Sequence, residues 1–213
     1  SDAEKYDLDE EKSTHLHNLL GFIHLENRDY RKAAEIYQQL GENYKAGFCE
    51  LLLGNEVVAE LLWRKAADCE PVRWGKCLIN FIKLKKGDMP TFLQIRNHLE
   101  VDIGYFIEAN KFNYVENILK YDNLFITVNL ESHKLIGRVM LNYGYYNLAR
   151  KYLLKSLDVI PEDAETYYFL GQYNYQIGAY RESERALEYC LEMNSGYVPA
   201  RYLLEKLATK PGK

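Results

Sequence analysis

The chain has 213 residues, of which 47% are hydrophobic and 27% are charged, a composition typical of folded, water-soluble proteins. Its formal net charge of −4, from 27 basic and 31 acidic residues, gives no electrostatic reason to expect a nucleic-acid partner. Apolar runs are short, as at Leu51–Leu53, so no membrane-spanning helix is predicted, and the acidic N-terminal residues lack the pattern of a signal peptide. The four cysteines form no C-x-x-C pair, which predicts free thiols and, with the features above, a cytoplasmic protein.

The first part of the chain predicts two pairs of helices. Four apolar residues at helical spacing predict the first helix: Leu16, Leu19, Leu20 and Ile23. A break near residues 27–29 precedes a second helix over Tyr30–Leu40, and Gly41 suits its C-terminal end. A second pair is predicted from about Gly41 to Pro71.

The middle of the chain is less regular. A third pair is predicted over Val72–Leu99, with its first helix ending at residues 85–87 and Pro90 in the first turn of its second helix. A fourth, shortened pair is predicted over Asp102–Ala109 and Phe112–Tyr121.

Residues 122–129 are predicted to differ from the helical pattern around them. Residues 125–128 read Phe-Ile-Thr-Val, a run with high β-propensity. We therefore expect an extended linker here, or a segment that packs into a groove of the protein, and we expect any joint in the chain at this point.

The segment from Leu130 to Tyr197 contains an internal repeat. When Leu130–Asp163 is aligned with Ala164–Tyr197, similar residues recur 34 positions apart. The matching pairs are Gly137 and Gly171, Gly144 and Gly178, Tyr146 and Tyr180, Leu153 and Leu187, and Ser156 and Cys190. Each copy predicts two amphipathic helices joined at its second glycine, and a last helix over Val198–Leu207 is predicted to cover the final apolar face.

This period and these landmarks resemble the tetratricopeptide repeat family. Residues earlier in the chain carry the same resemblance at the family's spacing: Leu20, Gly21, Tyr30 and Ala33, then Ala46, Gly47, Gly54, Ala59, Trp63, Ala66 and Pro71. The resemblance implies an all-α fold, a right-handed α-α superhelix (solenoid) of about six helix-turn-helix units. It implies three regions. Residues 9–121 would form N-terminal units, of which the third and fourth diverge from the family pattern. Residues 122–129 would be an extended linker or a groove-packing segment, and residues 130–208 would form two clear units plus a capping helix.

In this family the first helices of the units line a concave groove that binds ligands, and the resemblance assigns nine residues of this chain to such a groove. Its N-terminal half would be aromatic: Tyr44, Phe48, Trp74 and Phe81. Its C-terminal half would be polar: Lys134, Arg138, Tyr168, Gln172 and Tyr175. We expect a partner segment to bury its apolar part on the first set and to place an acidic or polar end on the second.

Two consequences follow from this groove. If Lys134 and Arg138 bind a partner, replacing both by Ala is expected to weaken binding without lowering thermal stability. The alternative, given equal weight, is that the aromatic half packs against the chain's own extended segment or against a second copy.

The sequence contains no recognisable constellation of catalytic residues. Glycines occur singly at helix breaks, and we find neither a glycine-rich phosphate loop nor a G-x-S-x-G turn. His17 and His24 are seven residues apart, about 10 Å along a helix, which is too far for one metal ion without other ligands. We expect no catalytic residue, no metal and no cofactor. A basic cluster at Lys83, Lys85 and Lys86 is read as a solvated helix end rather than an RNA site.

We therefore expect a non-enzymatic scaffold that binds a protein or peptide in its groove, with no nucleic acid or membrane partner; a homodimer is compatible with this reading. Two alternatives stay open. The chain begins at Ser1 rather than Met, which suggests the alternative that it is the repeat region of a larger enzyme, such as a bacterial glycosyltransferase. The basic cluster at Lys83, Lys85 and Lys86 suggests the other alternative, that the chain is a helical repeat that binds RNA.

Overall fold

The structure is a computed structural model that describes residues 2–209, with side chains described from Lys12 to Thr209. Over these residues the fold is all-α, as predicted, with 13 helices joined by short connections. They are α1 Asp2–Glu26, α2 Tyr30–Gln39, α3 Asn43–Leu53, α4 Glu56–Lys65, α5 Glu70–Ile82, α6 at residues 92–108, α7 Phe112–Leu119, α8 Asp122–Val128, α9 Ser132–Asn142, α10 Tyr146–Val159, α11 Ala164–Gln176, α12 Tyr180–Met193 and α13 Val198–Ala208. None of the helices in the described part is both long and apolar enough to cross a membrane.

Helices that follow one another in the chain mostly pack antiparallel, which is consistent with a helical repeat. The chain divides into two compact units. Among the described residues, unit 1 contains 2–90 and 105–121, and unit 2 contains 91–104 and 122–209. Helix α6 therefore contributes residues to both units.

Trp63 is the central side chain of unit 1. It is almost completely buried, and its indole Nε1 donates to the carbonyl oxygen of Tyr44 at 3.0 Å. Two glycines make room for the ring, because a Cβ added at Gly47 or Gly75 would lie within 2.8 Å of it. Glycine at these two positions therefore lets α3 and α5 pack closely against the Trp63 ring of α4.

The helices of unit 2 are consistent with the predicted 34-residue repeat. Helices α10 and α12 begin at Tyr146 and Tyr180 and end at residues 159 and 193, so both limits are offset by the same 34 residues. Gly144 and Gly178 both take left-handed backbone conformations, with φ of +76° and +80°, and form the turns within each pair.

Helix α13 covers the open end of the second pair, as predicted. Its buried side chains pack against α12 in one apolar cluster: Leu187, Cys190, Ala200, Leu203 and Leu207. A terminal helix of this kind shields the last apolar face of a stacked helical protein from water.

The prediction of an extended segment at residues 122–129 is wrong, because Asp122–Val128 forms helix α8. Phe125 is completely buried and Asp122 accepts a hydrogen bond from Lys155 at 2.5 Å. These tertiary contacts outweigh the β-propensity of the segment, which is a weak preference on its own.

The predicted break between the third and fourth pairs is also wrong. Helix α6 is continuous, with α-helical residues Phe92–Gln94, a π-helical turn at Ile95–Leu99 and α-helical residues Glu100–Glu108. Pro90 precedes this helix rather than lying in its first turn. A capping box, in which Thr91 and Gln94 exchange side-chain to backbone hydrogen bonds, begins the helix.

Candidate functional site

The four aromatic residues predicted to line the N-terminal half of a groove belong to the core of unit 1. Phe48, Trp74 and Phe81 are buried, and Tyr44 is half-buried and stacked on Trp63 at 6.1 Å between ring centroids. The prediction that these side chains offer a surface to a partner is therefore corrected.

Other parts of unit 1 cover these aromatics. Phe48 meets Tyr105 and Phe106 of α6 at centroid distances of 5.6 and 6.0 Å. Phe81 meets Tyr121 at 4.8 Å, and the Tyr121 hydroxyl donates to the carbonyl oxygen of Lys85 at 3.2 Å. The chain thus packs on its own aromatic face, although through the end of α6 and Tyr121 rather than through residues 122–129.

Lys134, the first predicted cation of the polar half, is neutralised within unit 2. Its Nζ lies 2.9 Å from Glu165, 3.0 Å from Glu131 and 3.1 Å from Asp163, and its side chain is only 6% exposed. Burial alone would lower the pKa of Lys134, but these three carboxylates outweigh it and the pKa is raised. Lys134 is a buried structural cation.

Arg138, the second predicted cation, is paired in the same way. Its guanidinium forms a bidentate ion pair with Glu100, with Nε 2.6 Å from Oε1, and it also lies 3.3 Å from Glu165. The hydrogen bonds that Arg138 donates to Glu100 raise the pKa of Arg138. The side chain lies over the ring of Phe169 at 5.6 Å. Because both charges are already compensated by carboxylates of unit 2, the structure gives no support to the prediction that Lys134 and Arg138 bind the polar end of a partner.

Tyr168, Gln172 and Tyr175, the other three predicted residues, come together in a pocket of about 220 Å³ between α11 and α13. Helical spacing puts them on one face of α11, since they are four and three residues apart. We call this the α11–α13 pocket. Its lining residues are Tyr168, Gln172, Tyr175, Gln176, Pro199, Tyr202, Leu203 and Lys206.

The polar groups of the α11–α13 pocket are arranged by contacts among the lining residues. The Gln172 amide donates to the Tyr168 hydroxyl at 2.8 Å, which leaves the phenolic proton to be donated elsewhere. Burial raises the pKa of Tyr168, so the hydroxyl stays protonated at neutral pH. The Tyr168 ring packs on Tyr197 at 5.1 Å, which fixes its orientation.

Lys206 is the cation of this pocket. Its Nζ lies 5.2 Å from the centre of the Tyr175 ring, at cation–π distance. It forms no ion pair with any residue in the described part of the chain, in contrast to Lys134 and Arg138. The pocket therefore combines aromatic walls, amide groups and one positive charge that no described residue compensates.

Sequence reasoning missed Tyr202 and Lys206, because α13 was read only as a covering helix. A signal was present in the spacing, since residues four apart lie on the same face of a helix. The apolar residues at 200, 203 and 207 of α13 face α12, and both Tyr202 and Lys206 are exposed. Tyr202 and Lys206 therefore lie together on the exposed face of α13.

Other predicted chemistry receives no further support. Within the described residues, no group of three or more His, Cys, Asp or Glu side chains could hold a metal ion. Lys83 of the basic cluster is largely buried and lies 2.8 Å from Glu60, so its charge is compensated. The enzyme and RNA-binding alternatives stay predictions.

No model of a known protein family matches the chain, and a comparison with curated proteins gave no match.

Proposed function

We propose that this chain is a non-enzymatic helical-repeat scaffold that binds a peptide segment of a protein partner in the α11–α13 pocket. The observation that carries the proposal is the pocket itself, where three side chains predicted for ligand binding meet Lys206, a cation without a counterion in the described residues. Nucleic acid and membrane are not part of the proposal.

We also propose that the helices form a right-handed superhelix of the tetratricopeptide type. The equal 34-residue offset of α10 and α12 supports this, as do the left-handed glycines in the same turn of each pair. Close contacts between helices also support the proposal. A Cβ at Gly137 would lie 2.8 Å from Leu153, and a Cβ at Gly171, the equivalent position of the second pair, would lie 2.6 Å from Leu187.

The chemistry of the α11–α13 pocket suits an extended peptide with an acidic group. Tyr168, Gln172 and Gln176 supply donors and acceptors for a peptide backbone, whose polar groups must remain hydrogen-bonded when they leave water. Tyr175 and Tyr202 supply aromatic surface for an apolar side chain. Lys206 would pair with a carboxylate through a charge-assisted hydrogen bond.

The test compares the double variant Tyr202→Ala/Lys206→Ala with wild type. Both side chains are exposed, so their loss is expected to leave folding intact. The matched control is Tyr189→Ala/Lys151→Ala, which removes the same two chemical groups from exposed positions outside the pocket.

Partners are captured from the source lysate on all three proteins, and the segment retained by wild type and the control is synthesised and titrated. We expect the pocket variant to bind this peptide at least about tenfold more weakly, which corresponds to about 1.4 kcal/mol. Equal affinity of the pocket variant and wild type would refute the proposal.

A further inference from the structure

Four large apolar side chains of helix α1 lie on the face that points away from α2. The helix packs mainly against α2, through Gly21, which touches Tyr37, and through Leu25, which joins the neighbouring core cluster. The residues Leu16, Leu19, Leu20 and Ile23 follow the spacing of a single helical stripe and lie on the opposite side. They are between 43% and 64% exposed.

This stripe is unusual for a surface in water. With Phe22, it places five exposed large apolar side chains within eight residues, a higher density than in any other segment of the described chain. Single exposed apolar residues are common, whereas a contiguous group marks a site of association. Such a face is suited to packing against a second partner.

The residues around the stripe restrict what that partner can be. Residues 13–25 contain no Asp, Glu, Lys or Arg, although 27% of the whole chain is charged. A surface without charges selects a partner that is equally apolar and that brings no charge to be desolvated. The same stripe on another molecule of this protein meets both conditions, because residues 13–25 of both copies are uncharged.

We propose that this stripe, residues 16–23 of α1, pairs with the same stripe of a second copy of the chain. The four side chains of the stripe on two copies together expose roughly 800 Å² of surface, the size of a weak interface that forms only at high protein concentration. Such a contact is isologous, with one patch facing itself across a two-fold axis. This inference concerns unit 1 and is independent of the α11–α13 pocket.

The test measures the molar mass of the whole chain by sedimentation velocity, over a concentration range of about 1 to 200 μM, where a small interface dissociates by mass action. The variant Leu16→Asp/Leu20→Asp puts two carboxylates into the stripe. The control Val57→Asp/Leu61→Asp makes the same change at two exposed apolar residues with the same spacing on α4. Far-UV circular dichroism checks that each variant stays folded.

We expect wild type and the α4 control to approach twice the monomer mass as concentration rises, and the α1 variant to stay monomeric. A monomeric wild type across the range would overturn the proposal and leave the stripe to a different partner. A dimer that survives in the α1 variant would overturn it as well, because the interface would then lie elsewhere.

A cross-link provides an answer even if the α1 variant fails to fold. In a Cys69→Ser background the exposed native thiol is removed, while the other three cysteines are buried. Leu19→Cys lies near the centre of the stripe, so a short bis-maleimide is expected to join two copies, whereas Val57→Cys is expected to give no product. Equal yields of cross-linked dimer at the two positions would contradict the proposal.

Discussion

Replacing Lys134 by Met tests the revised role of this side chain most directly. The long apolar side chain of Met fills much the same space, so the change mainly removes the ammonium group from between Glu131, Asp163 and Glu165. The sequence alone predicted that losing Lys134 and Arg138 would weaken binding without lowering thermal stability. The ion pairs in the structure predict a loss of stability instead.

The magnitude follows from the surroundings of the three carboxylates. Removing one partner of a buried ion pair typically costs about 3–5 kcal/mol of unfolding free energy. Glu131 and Glu165 are partly solvated, and Asp163 keeps hydrogen bonds from the Thr166 hydroxyl and the Glu165 backbone N–H, so part of this cost is recovered. We therefore expect a loss of about 2–3 kcal/mol, or a Tm lower by roughly 4–12 °C.

The assay is urea unfolding at neutral pH, followed by far-UV circular dichroism. Lys151→Met is the control, because Lys151 is exposed and its Nζ lies over the ring of Tyr152 at 5.3 Å. The control is expected to stay within about 0.5 kcal/mol of wild type. If Lys134→Met also stayed within that range, the expectation would be refuted, because the ion pairs of Lys134 would then contribute nothing to the stability of unit 2.

Two further predictions concern unit 2. Gly171→Ala is expected to lower the unfolding free energy by about 1–2 kcal/mol, because the new Cβ would lie 2.6 Å from the buried Leu187 side chain. The control is Gly196→Ala, where the nearest atom to the new Cβ is 3.4 Å away. If the two variants were equally stable, the close packing at Gly171 would be contradicted. Burial lowers the pKa of His133 below 6.5, so the unfolded chain binds the proton first and stability is expected to fall as pH drops below about 6.5, by at most about 1.4 kcal/mol per pH unit. Urea titrations at about pH 7.5 and 5.5 measure this loss of stability. The variant His133→Phe is expected to abolish the loss, whereas the control His15→Phe is expected to keep it. If His133→Phe still lost stability at the lower pH, another group would be responsible.

The regular half of the fold could be predicted because its signals are local. A left-handed turn requires glycine, so Gly144 and Gly178 mark the same point in two pairs of helices. Small residues opposite large ones mark where helices approach closely, as at Gly171 and Leu187. These signals repeat at a fixed period, and a period is visible without any knowledge of long-range contacts.

The irregular middle could not be predicted, because its structure depends on contacts distant in sequence. Residues 125–128 prefer a strand as a peptide, yet Phe125 becomes completely buried when the segment is helical. The π-helical turn at Ile95–Leu99 lets α6 continue where the apolar period seemed to break. The Thr91 and Gln94 capping box was visible in the sequence and was overlooked.

The candidate site divides in the same way. The sequence by itself determined the helical period, the glycine turns and the face of α11 that carries Tyr168, Gln172 and Tyr175, because helical spacing fixes which residues share a face. Only the tertiary structure decided which charges remain available. Arg138 meets Glu100, 38 positions away, while Lys206 meets the face of an aromatic ring and no carboxylate in the described chain. Charge compensation depends on which chain segments meet in space, and spacing within one helix carries no information about that.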